Sequence, residues 1–220
     1  MSGSRNSIKN FIIGIDEVGR GPLAGPVVVC ALAMPRELRI RNKKLGKLRD
    51  SKKLTAKQRE GWCKWIKANP RIFYAAARVY PRRIERFNIS QAANIAATCA
   101  CLRLFKKLVP EPFEEQRYTS YIAPKIKVLL DGGLYLKLPP LLASRYSQKT
   151  IVRGDEKFTC IKLASIIAKV TRDAFMNRLH KKFPQYGFAS HKGYGTAAHF
   201  AAIKKHGPSP VHRKTFMLGL

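Results

Sequence analysis

The sequence has few acidic residues and no long hydrophobic run. It contains 13 Asp and Glu against 43 Lys and Arg, a formal net charge of +30 over 220 residues. The longest stretch of low polarity, residues 22–34, is too short for a transmembrane helix, which needs about 20 apolar residues. Residues 1–10 are polar and lack the apolar segment and small-residue cleavage site of a secretory signal. We therefore expect a cytoplasmic protein without a membrane span.

Cysteine and histidine are also scarce, with five of each. The odd number of cysteines, most of them in apolar segments, argues against a disulfide framework and predicts reduced thiols in the core. Cys99 and Cys101 form a close pair, but no second pair follows, so a zinc finger is not expected. All five histidines lie in the last fifth of the chain at irregular spacing. We interpret them as part of a surface that contacts anions rather than as a metal cage.

What the chain does have is apolar content and positive charge. It is 45% hydrophobic and 10% aromatic, which predicts a folded core and excludes a disordered basic tail. At about 150 residues per domain, the length predicts a single domain over residues 1–220. A charge of +30 requires a counter-charge, and nucleic acids are the commonest polyanions. We expect a monomer that binds nucleic acid rather than membrane.

The hydrophobic pattern predicts a mixed α/β sheet covered by helices. Short apolar runs predict five strands, at residues 11–15, 26–34, 71–80, 125–130 and 150–152. Helices are predicted from a capping box at Thr55 and Gln58, and over residues 90–108, 161–183 and 196–206. Cys99 and Phe105 are expected on the buried face of the second helix. Residues 110–123 read as a linker.

Four of the scarce acids follow predicted strands. Asp16 and Glu17 end the first strand, Asp131 ends the fourth, and Asp155 follows the fifth. Ligand crevices form at the carboxyl ends of strands in open α/β sheets, and carboxylates that converge there repel one another unless a cation neutralises them. Oxygen ligands without His or Cys favour Mg²⁺ or Mn²⁺. Any one Asp alone is explained as well by a helix or turn cap, but the coincidence favours a metal site. Asp173, inside a predicted helix, is interpreted as a structural or supporting acid.

Two further segments have the residue types that contact phosphate. Gly19, Arg20 and Gly21 lie in a Gly/Pro-rich turn after the first strand, where glycine lets the backbone approach a ligand and arginine offers a planar donor fork. Ser51 and Lys52 precede the first predicted helix and combine a hydroxyl, an ammonium group and free backbone amides. A solvated basic turn explains the second segment equally well.

Seven sequence blocks, in this order, resemble type 2 ribonuclease H, the ribonuclease HII family. They are residues 14–26, 50–54, 130–132, 154–155, 164–173, 193–196 and 212–216. The resemblance implies a ribonuclease H-like fold: a central five-stranded mixed sheet, flanking helices and a C-terminal helical extension. It places the core at about residues 11–183 and the extension at about 184–220. The implied substrates are RNA–DNA hybrids and duplex DNA that contains single ribonucleotides.

The resemblance also implies roles for individual residues. The four metal-binding catalytic acids fall on Asp16, Glu17, Asp131 and Asp155, the same residues that the strand ends indicate. The segment that contacts the ribonucleotide around its 2′-OH falls on residues 19–21, and the tyrosine that stacks on the next deoxyribose falls on Tyr194. The implied chemistry is in-line attack of water on a phosphodiester, assisted by two divalent cations.

Two other readings remain at this point. A non-catalytic basic RNA-binding protein would explain the charge but not the acids at the strand ends. Another nuclease of the same fold, such as a ribonuclease HIII, a resolvase or a transposase-like domain, would share the metal site and differ in substrate.

Overall fold

The protein has a central five-stranded sheet, seen here in a computed structural model that describes residues 11–108, 126–144 and 146–217. The strands are β1 Phe11–Val18, β2 Val27–Pro35, β3 Phe73–Val79, β4 Ile126–Asp131 and β5 Tyr146–Ile151. Their order in the sheet is β3-β2-β1-β4-β5. The β1–β2 and β2–β3 pairs are antiparallel, and the β1–β4 and β4–β5 pairs are parallel. The predicted mixed five-stranded sheet is therefore confirmed.

Seven α-helices accompany the sheet in the described residues. They are α1 Ala56–Ala68, α2 Pro81–Leu108, α3 Pro140–Ala143, α4 Gly154–Lys157, α5 Thr159–Lys182, α6 Phe188–His191 and α7 Ala197–His206. The capping box of α1 is present: the Gln58 amide donates to Thr55 Oγ1 at 3.2 Å, and the Thr55 amide donates to Gln58 Oε1 at 2.9 Å. None of the described helices meets the length and apolarity that a bilayer crossing requires.

Helices cover both faces of the sheet. One core cluster joins α2 to the sheet, and a second joins α1 and α5 to the opposite face. β2 is buried along its entire length, as expected for a strand covered on both sides. At Gly14 the backbone of β1 touches that of α5, because an added Cβ would lie 2.3 Å from the carbonyl carbon of Cys160. This close contact fixes the strand that carries the first two acids.

Helix α2 differs from its prediction in its start and its buried face. It begins at Pro81 instead of residue 90, and a kink at Asn88, with φ of 61°, falls near the predicted start. Phe105 is buried as predicted, but Cys99 is exposed. The centre of the packed face is formed by alanines, at positions 92, 93, 96, 97 and 100. Small side chains let the helix approach the sheet closely there, and the larger apolar residues Leu104 and Phe105 are buried further along it.

The C-terminal segment packs against loop 19–26, the connection between β1 and β2. The Leu23 amide donates to the Gly193 carbonyl at 2.8 Å, and Ala24 pairs with His212 in an isolated bridge. A third core cluster, which includes Met176 and Phe188, lies beneath this contact. Residues 184–217 are thus built onto the same body as the sheet. The predicted linker 110–123 lies outside the described residues.

Candidate active site

Three of the four predicted acids meet at one edge of the sheet. Asp16 and Glu17 lie near the end of β1, and Asp131 is the last residue of the adjacent parallel strand β4. The two strands are paired so that Ile15 lies opposite Leu130, which brings the acids after them to the same edge. One carboxylate oxygen from each acid lies within 4.8 Å of the other two. We call these three residues the acidic cluster.

Asp155 lies at the same edge but outside this three-residue group. It belongs to the short helix α4, directly after Gly154, whose amide donates to Asp131 Oδ1 at 2.5 Å. Its side chain is buried, and its Oδ2 lies 3.8 Å from Lys52 Nζ. The fourth acid is therefore linked to the acidic cluster through the backbone beside it and is paired with a lysine.

Burial and neighbouring charges disfavour the ionised forms of Asp16, Glu17 and Asp155 when no cation is bound. Burial, followed by the charge of Glu17, raises the pKa of Asp16 well above its ordinary value. Burial likewise raises the pKa of Glu17, although Arg20 at 3.3 Å opposes the shift. Burial and the charge of Asp131 raise the pKa of Asp155. At neutral pH, ionised carboxylates at this edge reduce the free energy of unfolding, and a divalent cation would relieve that cost.

One oxygen of the acidic cluster has no partner. Glu17 Oε2 is buried and makes no hydrogen bond within the described part of the chain. Buried polar atoms are normally hydrogen-bonded, so an unpaired carboxylate oxygen beside two other carboxylates requires an explanation. A hard cation with oxygen ligands supplies one. The donor set fits Mg²⁺ or Mn²⁺, with Asp16, Glu17 and Asp131 as ligands.

A buried hydroxyl pair connects Asp16 to the segment at residues 50–54. Ser165 of α5 forms a side-chain hydrogen bond with Asp16, and its Oγ lies 2.8 Å from Ser51 Oγ. Ser51 is buried, so its hydroxyl is turned towards Ser165 and away from solvent. Lys52, in contrast, has an exposed side chain near Asp155. Partial burial alone would lower the pKa of Lys52, but surrounding carboxylates, with Asp155 first, raise it.

Gly19, Arg20 and Gly21 follow β1 directly and adjoin the acidic cluster. Gly19 has φ of +90°, and an added Cβ would lie 2.2 Å from Arg172 Nε, so this position requires glycine. Gly21 is exposed and faces open space. The Arg20 guanidinium contacts Glu17 and donates to Ser90 Oγ at 3.0 Å. The structure thus brings this segment and the acidic cluster together.

Tyr194 combines an exposed ring with a fixed backbone. Its side chain is 42% exposed. Its amide donates to the His191 carbonyl at 3.0 Å, and its carbonyl accepts from His199 Nδ1 at 2.9 Å. The hydrogen bond between Leu23 and Gly193 ties the residue before Tyr194 to loop 19–26. Tyr194 therefore lies in a segment joined to the loop that carries Arg20.

The interpretation of the histidines as an anion-contacting surface is wrong for two of them. His199 and His212 are buried, with relative exposures of 0% and 3%. Their Nε2 atoms lie 3.0 Å apart, and the Ser209 amide donates to His212 Nδ1. Since His199 Nδ1 donates to the Tyr194 carbonyl, His212 Nε2 donates to His199 Nε2, and both rings are neutral. Burial lowers the pKa of His212 to about 4, in accord with a neutral ring.

Two residues at this site have no counterpart in the sequence-based predictions. Arg172 in α5 and Arg213 after α7 are completely buried and donate to backbone carbonyls of loop 19–26. Both arginines lie within sequence blocks of the family resemblance, residues 164–173 and 212–216, but neither was assigned a role there. Asp173 is structural, since it pairs with Lys169 at 2.9 Å and with Arg59 at 4.0 Å.

A strongly basic segment leads up to the acidic edge. Residues 36–49 contain one acid, Glu37, which pairs with Arg71 at 2.8 Å. A cavity of about 510 Å³ separates this segment from the start of α5, and no acid lines it. The segment's seven basic side chains are all exposed: Arg36, Arg39, Arg41, Lys43, Lys44, Lys47 and Arg49. We call residues 36–49 the basic segment; its charge suits the phosphates of a nucleic acid.

Comparison with known proteins agrees with this geometry. The family model described as ribonuclease HII matches residues 13–218. A ribonuclease HII from Chlorobium phaeobacteroides is 41% identical over 209 residues, which cover 95% of this chain and 91% of that protein. A ribonuclease HII from Coxiella burnetii is 42% identical over 206 residues, 94% of this chain and 88% of that protein. The crystal structure of ribonuclease H2 from Pyrococcus horikoshii superposes with a TM-score of 0.65 at 26% identity over 93% of both chains. The chain belongs to the ribonuclease HII family of metal-dependent endoribonucleases, which share the ribonuclease H-like fold.

Proposed function

We propose that this enzyme cleaves the RNA strand of RNA–DNA hybrids and also cuts duplex DNA at single embedded ribonucleotides. The observation that carries the proposal is the position of residues 19–21 beside the acidic cluster, with Tyr194 joined to the same loop. A segment beside the cleavage site that contacts one 2′-OH can recognise a substrate that contains only one ribonucleotide. Recognition through the sugar and backbone also leaves the base sequence unread, so cleavage is independent of sequence.

Each acidic side chain has a proposed part in holding the cations. Asp16, Glu17 and Asp131 form the ligand set, and Asp155 adds a carboxylate at the same edge. Bound Mg²⁺ or Mn²⁺, in a pair, would lower the pKa of the attacking water and stabilise charge on the phosphate and the leaving 3′-oxygen. Ser165 orients Asp16, and Ser51 supports Ser165 instead of contacting substrate. Lys52 and Arg20 lie where they can neutralise phosphate charge.

Two rival functions account for less of the structure. A non-catalytic RNA-binding protein would gain nothing from three carboxylates packed together with one unpaired oxygen, since they oppose phosphate binding. A resolvase or transposase-like nuclease would need the acidic edge but has no use for a loop with free backbone amides beside it for a 2′-OH. The acidic cluster and loop 19–26 together favour the ribonucleotide-specific reading.

A single assay tests this function. A duplex DNA with one central ribonucleotide, an RNA–DNA hybrid and an all-DNA duplex are incubated with the enzyme and Mg²⁺ or Mn²⁺. We expect cuts in the first two, with the ribonucleotide left at the 5′-phosphate end of the product, and none after chelation. Cleavage of the hybrid alone would contradict the single-ribonucleotide activity, and cleavage of the all-DNA duplex would contradict the proposed role of the 2′-OH.

We also propose that the enzyme is a monomer with one domain. The C-terminal segment is bonded to loop 19–26 across the fold, so the extension and the core support one site. A charge of +30 opposes self-association through mutual repulsion. The molar mass from light scattering should be that of one chain, 24.8 kDa, and a dimer mass would contradict this.

Binding to duplex should weaken steeply as salt increases. Each phosphate neutralised contributes a slope of about −0.9 to a plot of log affinity against log salt concentration. We expect the triple substitution of Lys43, Lys44 and Lys47 by Ala to make that slope shallower, whereas Lys64→Ala on α1 should leave it unchanged. Fluorescence anisotropy over a salt series measures both. A flat response of the unaltered chain would show that its charge serves a different partner.

Metal-free protein should be stabilised by removal of one buried carboxylate. The pKa of Asp16 is raised in the folded state, so its stability contribution is full at low pH and is lost as pH rises. Asp16→Asn does not lose this stability as pH rises, so its melting temperature at pH 8 in chelator should be a few degrees above that of the unaltered chain. A change of 1 kcal/mol in the free energy of unfolding shifts the melting temperature by about 2–4 °C. Added Mn²⁺ should stabilise the unaltered chain more than the variant. A lower melting temperature for Asp16→Asn in chelator would contradict the repulsion described here.

A further inference from the structure

Two buried arginines lie beneath loop 19–26, and no carboxylate of the described residues is within ion-pair distance of either. Arg172 and Arg213 are both 0% exposed and are among the largest fully buried side chains. Neither forms an ion pair with a carboxylate of residues 11–108, 126–144 or 146–217. Burial lowers the pKa of both guanidinium groups. An unpaired buried charge opposes folding, so two of them under one loop indicate a role beyond packing.

The two guanidinium groups bind the carbonyls of this loop. Arg213 donates to Gly19 at 2.7 Å, to Arg20 at 2.8 Å and to Gly25 at 3.0 and 2.8 Å. Arg172 donates to Ala24 at 3.1 Å and to Pro26 at 3.0 Å. Five carbonyls of an eight-residue loop are therefore turned inward by two side chains.

The inward carbonyls determine where the loop's amides point. All described peptide bonds are trans, and in a planar trans peptide the C=O and the following N–H point in opposite directions. Because the Gly19 carbonyl accepts from Arg213, the Arg20 N–H points away from the Arg213 side chain. The Arg20 carbonyl also accepts from Arg213, so the Gly21 N–H points away from that side chain as well. Neither amide has a hydrogen-bond partner among the described residues. Two free N–H groups thus face outward next to the acidic cluster.

Arg172 also connects the loop to the segment that carries Tyr194. Its Nη1 donates to the Lys192 carbonyl at 2.9 Å, and its guanidinium lies 5.9 Å from the centre of the Tyr194 ring. Gly19 packs directly on this side chain. Arg172 therefore fixes the spacing between the two elements proposed to contact the substrate.

We propose that Arg172 and Arg213 are positioning residues for ribonucleotide recognition: by holding the carbonyls of loop 19–26 inward, they present the Arg20 and Gly21 amides to the 2′-OH and adjacent phosphate. This inference rests on the function proposed above. The role requires arginine, because a planar fork with five donors can bind several carbonyls at once, whereas a lysine ammonium group cannot span them.

Conservative substitutions separate geometry from charge. Arg213→Lys and Arg172→Lys each keep the positive charge and remove the fork. The matched control is Arg103→Lys, since Arg103 also donates to a backbone carbonyl, that of Ala76 at 2.8 Å, but lies on α2 against β3. All variants are made in the Asp131→Asn background, where binding is measured without turnover, and also in the active enzyme.

The decisive measurement is the preference for a ribonucleotide. Affinity is compared between a duplex with one ribonucleotide and the same all-DNA duplex. We expect the Asp131→Asn parent and its Arg103→Lys form to prefer the ribonucleotide, and the Arg172→Lys and Arg213→Lys forms to lose most of that preference while keeping all-DNA affinity within about threefold. In the active enzyme, kcat/KM on the ribonucleotide duplex should fall at least tenfold.

Thermal unfolding completes the test. A lowered melting temperature with the preference retained in both lysine variants would show a purely structural role and overturn the inference. If one lysine variant does not fold, the ribonucleotide preference of the other variant tests the inference. A parent chain that cuts RNA–DNA hybrid but shows no preference for, and no cleavage at, a single ribonucleotide would overturn the proposed function, and the inference with it. Cleavage at the ribonucleotide with an unchanged preference in the variants would overturn the inference alone.

Discussion

Asp131→Asn is expected to reduce cleavage of every substrate by about a thousandfold or more. Asp131 is the carboxylate that joins the two halves of the acidic edge: it belongs to the acidic cluster and accepts the amide that precedes Asp155. An amide cannot replace its negative charge, so cation binding weakens at a site that contributes several kcal/mol to the reaction, and each 1.36 kcal/mol changes the rate tenfold. Asp16→Asn should have a similar effect, because Asp16 is the most deeply buried acid of the cluster.

The control for both variants is Glu156→Gln. Glu156 follows Asp155 directly, is exposed, and pairs only loosely with Lys53 at 4.0 Å, so its substitution should leave the rate within about twofold. Single-turnover rates over a range of Mn²⁺ concentrations separate weak cation binding from lost chemistry. Duplex affinity should be kept or increased in the Asn variants, since a negative charge is removed from a phosphate-binding surface. Full activity of Asp131→Asn at low metal concentration would exclude Asp131 from the site.

The acidic edge was the most predictable part of the molecule. Strand ends can be read from apolar runs, and parallel strands place their carboxyl ends together, so Asp16, Glu17 and Asp131 were predictable as neighbours. Asp155 was predicted on the same basis, but the turn after β5 places it on α4, outside the close group. The direction of a side chain after a turn depends on backbone angles such as the φ of 53° at Arg153, which no sequence pattern signals.

The supporting residues were not predictable from the sequence. The role of Arg213 depends on contacts with loop 19–26, almost 190 positions away. The buried state of His199 and His212 depends on their hydrogen bond to each other. A hydroxyl beside a lysine predicts that Ser51 contacts phosphate, and the sequence gives no sign that its Oγ lies 2.8 Å from Ser165 Oγ. These polar side chains are buried because other segments supply partners for them, 13 positions apart for His199 and His212 and 188 for Arg213 and Gly25. Local composition carries no record of those partners.

Tyr194→Ala should impair cleavage at a single ribonucleotide far more than cleavage of a long hybrid. Aromatic stacking on a base contributes about 1–3 kcal/mol, or roughly 5- to 150-fold in rate or affinity, and we expect the lower part of that range for a ring stacked on a deoxyribose. With one ribonucleotide, only one register places the scissile phosphate at the acidic cluster, so the loss appears in full. A long hybrid offers many productive registers, which compensate for a less well-held junction.

The fixed backbone of Tyr194 makes this prediction sharper. The hydrogen bonds to His191 and His199 are made by the backbone of residue 194 and do not depend on its side chain. Substitution of Tyr194 by Ala should therefore remove the ring without moving loop 19–26. Tyr194→Phe keeps the ring and should retain most activity on both substrates. Tyr80→Ala is the control, because Tyr80 is similarly exposed, at 47%, and has no proposed contact with the substrate. The measurement is the ratio of single-turnover rates on the two substrates, together with the melting temperature. An equal loss on both substrates, with a lowered melting temperature, would identify Tyr194 as a packing residue and exclude it from junction recognition.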